Sequence, residues 1–167
     1  MSKMFFDELS VELAEQIRLW RNVDIAAART PYLLTREMQL AWYHNVVCNR
    51  DAKSRYWAIW SPANFVGIAG LQNIELENST AEISLMIGPN YRGKGHGKAA
   101  LDELLRIGFQ QIGLHSIWGE VYVCAQSFEF WRKICADRNL QTAFLPDRKF
   151  WNGKYWDALW FCFMESG

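Results

Sequence analysis

Three glycines alternate with other residues in the middle of the chain, at Gly93, Gly95 and Gly97. Glycine lets the backbone approach a ligand closely and turn its N–H groups toward it. Basic side chains within the same run add positive charge. This combination suits a phosphate, and a pyrophosphate in particular. We therefore predict a phosphate-binding loop formed by Arg92, Gly93, Lys94, Gly95, His96, Gly97 and Lys98.

The elements that flank this loop favour the same chemistry. The apolar run 83–87 predicts a strand, which Gly88-Pro89 ends. After Gly97, apolar residues recur at steps of three and four and predict a helix over 97–111. A helix N-terminus carries about half a positive charge and several unpaired N–H donors. Strand, glycine loop and helix together are a known arrangement for binding phosphate.

Two motifs compete for the loop. The run from Gly88 to Lys94 matches the first seven positions of a nucleotide-binding P-loop, but Gly95 stands where that motif needs a Ser or Thr hydroxyl for magnesium. The alternative is Arg92-x-x-Gly95-x-Gly97, which is complete. A nucleotide-binding protein is therefore the weaker hypothesis.

The remaining periodicities predict one α+β domain over residues 1–167. Ser10 is a candidate N-cap of a first helix, Pro31 and Thr35 frame a loop and the start of a second, and a further helix is predicted over 126–138. We predict strands at 4–9, 55–60, 65–74, 81–87, 116–123, 140–145, 149–151 and 154–164. Asn152-Gly153 predicts a hairpin between the last two. The helix after the loop should bring strand 116–123 parallel to strand 81–87 in a mixed, mostly antiparallel sheet flanked by helices.

The Arg-x-x-Gly-x-Gly run resembles the coenzyme A pyrophosphate loop of GNAT-type N-acetyltransferases. Further resemblance lies in Ala81-Glu82-Ile83, in the segment 113–117 and in Gly153 to Asp157. With Trp20-Arg21-Asn22, the chain looks like the branch that contains ribosomal-protein N-terminal, spermidine and amino-sugar acetyltransferases. The resemblance implies a GNAT-like fold over most of the chain and acetyl-CoA as co-substrate, with direct attack by an amine.

Acetyl transfer from a thioester needs a neutral amine, a stabilised oxyanion and a proton for the departing thiolate. Similar enzymes often carry a catalytic Glu on the strand before the loop, which makes Glu82 the candidate base; the alternative is an ordinary surface Glu. In the family this strand also pairs with the pantetheine arm, and one of its N–H groups polarises the thioester. Met86 and Ile87 are therefore predicted cofactor contacts.

The family's usual proton donor is absent. In similar enzymes a Tyr on the helix after the fifth strand protonates the thiolate, and matching that motif here gives Cys124, Ser127 and Trp131. An indole N–H cannot act as a general acid at neutral pH. Tyr122 or solvent could supply the proton instead, and Trp131 could still pack against the cofactor. The missing Tyr also leaves open a GNAT-like module that binds acyl-CoA without turnover.

The acceptor side is predicted from aromatic residues in the first quarter of the chain: Trp20, Tyr32, Trp42 and Tyr43. No dense acidic run favours a polycation. We expect a small amine-bearing metabolite, with an amino sugar as one candidate, rather than a protein N-terminus.

The amino-acid composition limits the classes of partner that the protein is expected to bind. Eighteen basic and eighteen acidic side chains give zero formal net charge, and no basic stripe or basic amphipathic helix argues for nucleic acid or membrane. The four cysteines lack C-x-x-C spacing, and with the three histidines they suggest neither a zinc site nor a disulfide framework. No signal peptide is evident. We expect a cytoplasmic protein without metal and leave a homodimer open.

Overall fold

The structure, a computed structural model, describes residues 4–165; residues 1–3 and 166–167 of the predicted domain lie outside them. The strands are β1 (Phe5–Asp7), β2 (Arg55–Ser61), β3 (Asn64–Glu75), β4 (Thr80–Ile87), β5 (Ser116–Tyr122), β6 (Gln141–Trp151) and β7 (Lys154–Met164). The helices are α1 (Val11–Val23), α2 (Arg36–Trp42), α3 (His96–Arg106) and α4 (Phe128–Asp137). α2 and α3 each continue into a wider π-helical turn, at Tyr43–Val47 and Ile107–Ile112 respectively.

The strands form one sheet in the order β1-β2-β3-β4-β5-β7-β6. β4 and β5 run parallel, and the other five neighbouring pairs run antiparallel. The predicted mixed, mostly antiparallel α+β architecture is therefore confirmed. The predicted strands 140–145 and 149–151 are one strand, β6, whose register with β7 shifts between Leu145 and Lys149.

Local sequence accounts for the helix starts. The Ser10 hydroxyl accepts a hydrogen bond from the backbone N–H of Leu13 at 3.3 Å. The Thr35 hydroxyl accepts one from Met38 at 3.2 Å. Both side chains satisfy a donor that the first turn of a helix leaves unpaired, so the predicted N-cap at Ser10 and the predicted helix start at Thr35 are confirmed.

Successive side chains of a strand point to opposite faces of the sheet. The strands therefore contribute to two hydrophobic clusters, one on each face. Ala58 and Ile68 pack with Ile17 of α1 in the smaller cluster. Ile59 and Ala69, their chain neighbours, belong to the larger cluster, to which α3 and α4 also contribute. The sheet thus separates an α1–α2 layer from an α3–α4 layer. No helix within residues 4–165 is long and apolar enough to cross a membrane.

Candidate active site

The site lies where β4 and β5 part. The two strands pair at only three positions, from Thr80↔Ser116 to Glu82↔Trp118, although β4 continues to Ile87 and β5 to Tyr122. The gap opens into a cleft of about 880 Å³, lined from both faces of the sheet. A smaller cavity of about 460 Å³ lies at the 50–55 segment, and none of the glycine loop lines it.

The edge of β4 offers backbone groups to this cleft. The N–H of Gly88 donates to the carbonyl of Val66 on β3 at 2.9 Å. Because backbone groups alternate along a strand, those of Leu85 and Ile87 must point the other way, into the cleft. The Ile87 carbonyl accepts from Arg92 Nε at 3.1 Å, which agrees with that direction. An extended ligand with amide groups could pair with this edge as an added strand would.

The glycine loop forms the next wall. Gly93 and Gly95 have positive φ angles of 74° and 85°, and a Cβ built on either would meet no atom within 4 Å. The backbone there is therefore both left-handed and open to a ligand. Gly95 is the N-cap of α3, so the first N–H groups of that helix have no intrahelical partner. A Cβ on Gly97 would lie 3.4 Å from the ring of Phe130 on α4.

The basic side chains of the loop make different contacts. Lys98 lines the cleft. The Lys94 ammonium donates to the carbonyl of Asn90 at 2.9 Å. Arg92 joins three parts of the chain: besides the Ile87 carbonyl, it contacts Asp24 at 3.1 Å and Gln126 at 2.9 Å. Arg92 therefore fixes the loop to both sides of the cleft.

Glu82 is buried at the point where the cleft begins, with 2% of its surface exposed. One carboxylate oxygen accepts from the guanidinium of Arg29 and the other from Asn73 Nδ2 at 2.8 Å. The alternative of an ordinary surface Glu is therefore wrong, because β4 is a central strand. Whether Glu82 acts as the base stays a prediction.

Tyr122 points into the same cleft. Trp118 lies opposite Glu82 in the parallel register, so Glu120 and Tyr122 share the face of Glu82. Burial raises the pKa of the Tyr122 hydroxyl, and the positive charge of Arg29 opposes that rise. The hydroxyl is thus protonated at neutral pH and available as a donor. Arg29 thus pairs with the candidate base and also acts on the candidate acid.

Trp131 belongs mainly to the core. Its ring stacks on Phe161 of β7 with the centroids 4.7 Å apart and packs edge-on against Phe130. It is 8% exposed and also lines the cleft. The predicted contact with a ligand is therefore limited to a small part of its surface.

The four predicted acceptor residues are not brought together. Trp42 lines the cleft and packs edge-on against Tyr56 at 5.1 Å. Trp20 lies outside the cleft lining, stacked on Phe65 at 5.3 Å, where it fills the space beside Gly88. Tyr32 and Tyr43 also lie outside the lining, and Tyr43 packs against His44.

Several cleft residues were missed in the sequence. The segment 24–29 forms one wall, with Asp24, Ala27, Ala28 and Arg29 in the lining. The Asn22 amide joins the two ends of the longer stretch that contains this segment, because it donates to the carbonyl of Leu34 and accepts from the N–H of Leu34. Lys149 of β6 donates to the carbonyls of Ile25 and Ala28. The Trp20-Arg21-Asn22 run was the available signal, but it does not reveal which residue after it turns inward.

A family model described as an acetyltransferase (GNAT) domain matches residues 5–123, which include β1, the glycine loop and Tyr122. The chain belongs to the GNAT acetyltransferase family. No curated protein sequence matches it.

Solved structures share the fold of this GNAT domain. The spermidine N-acetyltransferase SpeG of Vibrio cholerae, in complex with CoA and spermine, superposes with a TM-score of 0.83 at 20% identity, covering 98% of this chain and 96% of that one. Mutant forms of the spermidine/spermine N-acetyltransferase SpeG from the same organism give a TM-score of 0.83 at 19% identity, with coverage of 98% and 95%. A dodecameric form in an intermediate state gives 0.82 at 20%, again with 98% and 95%. At this identity the likeness shows the fold.

Proposed function

We propose that this chain is an N-acetyltransferase that transfers the acetyl group of acetyl-CoA to the amine of a small metabolite. The observation that carries the proposal is the open, left-handed glycine loop at the start of α3, beside the unpaired edge of β4. Acetyl-CoA supplies the acetyl group as a thioester. CoA bound to the SpeG relative supports the same co-substrate here.

The residues of the cleft have separate roles in this proposal. The N–H groups from Gly93 to Lys98 would hold the pyrophosphate, with Lys98 adding charge. The backbone of Leu85 and Ile87 would pair with the pantetheine amides. Glu82 would take a proton from the acceptor ammonium, through water if necessary, and Tyr122 would give one to the departing thiolate.

The acceptor is proposed to be a small amine rather than a protein N-terminus. Its binding space lies on the Glu82 face of the sheet, between β4 and the segment 24–29. The SpeG relative binds spermine, and this supports a small amine as the class. An oligomer is also proposed, because SpeG forms a dodecamer.

A thiol-release assay with acetyl-CoA and a panel of amines tests the proposal. The panel should contain amino sugars, polyamines, amino acids and a peptide with a free N-terminus. Turnover of one small-amine class above the peptide is expected. Direct attack also predicts that acetyl-CoA alone leaves the mass of the intact protein unchanged. An acetylated protein intermediate, or turnover of the peptide alone, would contradict the proposal.

A further inference from the structure

The acidic side chains of the cleft have arginine partners, and this bears on which acceptor the cleft can attract. Its three acidic residues are each paired with an arginine: Glu82 with Arg29, Asp24 with Arg92, and Glu120 with Arg148. None of these carboxylates is left to attract a cationic acceptor. A cleft that binds a polyamine through its charges would need carboxylates without such partners.

Arg21 is the cation that remains on the acceptor side. It lines the cleft from the last turn of α1, and within residues 4–165 no carboxylate lies within 4.0 Å of it. Its guanidinium donates a hydrogen bond to the hydroxyl of Thr30 at 2.7 Å. Burial lowers the pKa of Arg21, as expected for a cation withdrawn from water without an anion beside it. Such a group is costly unless a partner compensates its charge.

Arg29 adds donors at the same place. Burial raises the pKa of the Tyr56 hydroxyl, and the nearby positive charges of Arg21 and Arg29 partly oppose that rise. Arg29 uses one nitrogen for Glu82, and 53% of its side chain is exposed. Lys149 donates to the carbonyl of Ile25 in the segment 24–29 and adds a further positive charge there. The acceptor side of the cleft is therefore electropositive.

We propose that the acceptor amine also carries an anionic group, a carboxylate or a phosphate, which Arg21 binds together with the free donors of Arg29. This inference rests on the proposed acetyl transfer and names the chemistry of its acceptor. A guanidinium fork suits both anions, because each offers two oxygens to parallel N–H donors. The anion would also orient the amine toward Glu82.

Binding to the CoA-saturated protein tests the inference without any turnover. Calorimetry should compare matched pairs: glucosamine 6-phosphate with glucosamine, O-phosphoethanolamine with ethanolamine, and 4-aminobutanoate with butylamine. The anionic member of at least one pair should bind about tenfold to hundredfold more tightly, as expected for charge-assisted hydrogen bonds. The first two pairs report on phosphate and the third on carboxylate.

Arg21→Gln should remove most of that preference while leaving the affinity for CoA unchanged. Arg132→Gln is the matched control, because Arg132 is an exposed arginine of α4 outside the cleft lining; it should keep the preference. The inference is overturned if both members of every pair bind equally, if the preference survives in Arg21→Gln, or if CoA affinity falls in parallel. Failure of the proposed function would give a different result. No acetyl transfer would then occur, whichever of these ligands binds.

Discussion

Arg29 and Glu82 form an ion pair across the mouth of the cleft, although 53 positions separate them in the sequence. Glu82 is nearly inaccessible, whereas about half of the Arg29 side chain remains exposed. The carboxylate is thus fixed on the rigid central strand and the guanidinium on the segment that follows α1. Because Arg29 is the exposed partner, we expect an acceptor that contacts its guanidinium to influence the candidate base through this ion pair.

Glu82→Gln should lower turnover mainly at pH values below the point where the acceptor amine loses its proton unaided. Alkyl ammonium groups titrate near ~10.4. The loss should shrink as the pH rises, because a neutral amine needs no base. The measurement is kcat/KM against pH for the variant and the native protein. The control is Glu120→Gln, which removes the carboxylate that β5 contributes to the same face of the sheet and that pairs with Arg148. If turnover falls in a pH-dependent way in Glu120→Gln and does not fall in Glu82→Gln, the base is Glu120.

Tyr122→Phe should reduce turnover by roughly 10²-fold with acetyl-CoA affinity unchanged, because it removes a general acid and little surface. The raised pKa of Tyr122 gives the sign of the pH effect. The hydroxyl can donate only while it is protonated, so its alkaline limb should lie above its ordinary value of about 10. Steady-state rates and calorimetry provide the two measurements. An unchanged rate would assign the proton to solvent.

Gly95→Ala should weaken acetyl-CoA binding by tenfold or more. The new methyl would meet no protein atom within 4 Å, so steric interference can come only from the ligand. Gly113→Ala is the matched control: Gly113 has a similar φ of 79°, the same free space, and a position at the end of the α3 extension outside the cleft. Both variants should lose about 1–2 kcal/mol of stability from the left-handed backbone. Equal affinities for acetyl-CoA in the two would remove the loop from the binding site.

Trp131→Ala should cost about 3–5 kcal/mol of unfolding free energy, because it empties a large space in the α3–α4 core. The stack on Phe161 is lost as well. Trp131→Phe keeps an aromatic ring there and should cost less. Denaturant unfolding of both variants gives the comparison. A stable Trp131→Ala protein with weakened acetyl-CoA binding would instead make Trp131 chiefly a cofactor contact.

Local patterns in the sequence were sufficient for the fold. The caps at Ser10 and Thr35, the Asn152-Gly153 hairpin and the apolar periodicities each depend on a few neighbouring residues. β6 was divided in the prediction because its register shift lies between Leu145 and Lys149, around Pro146. Such a shift depends on pairing with β7, which no local pattern reports.

The site was harder to predict, because most of it depends on distant pairings. The glycine loop is contiguous, so its spacing alone was enough to predict it as a phosphate-binding loop. Arg29 reaches the cleft through its ion pair with Glu82 of β4, and Asp24 through Arg92 of the loop. Tyr56 lines the cleft from β2. Aromatic type alone could not separate Trp42, which lines the cleft, from Trp20, which packs against Phe65. The face of Tyr122 became clear only from the register of β5 with β4.

The most direct test measures free CoA and acetylated amine together in one reaction with acetyl-CoA and the acceptor panel. Thiol titration counts the CoA, and mass spectrometry counts the N-acetyl product. Acetyl transfer predicts one acetylated amine for each thiol released, with both signals lowered in Gly95→Ala at subsaturating acetyl-CoA. Thiol release without an acetylated amine, or tight acetyl-CoA binding with neither product, would contradict it; the second result would indicate a binding module without turnover.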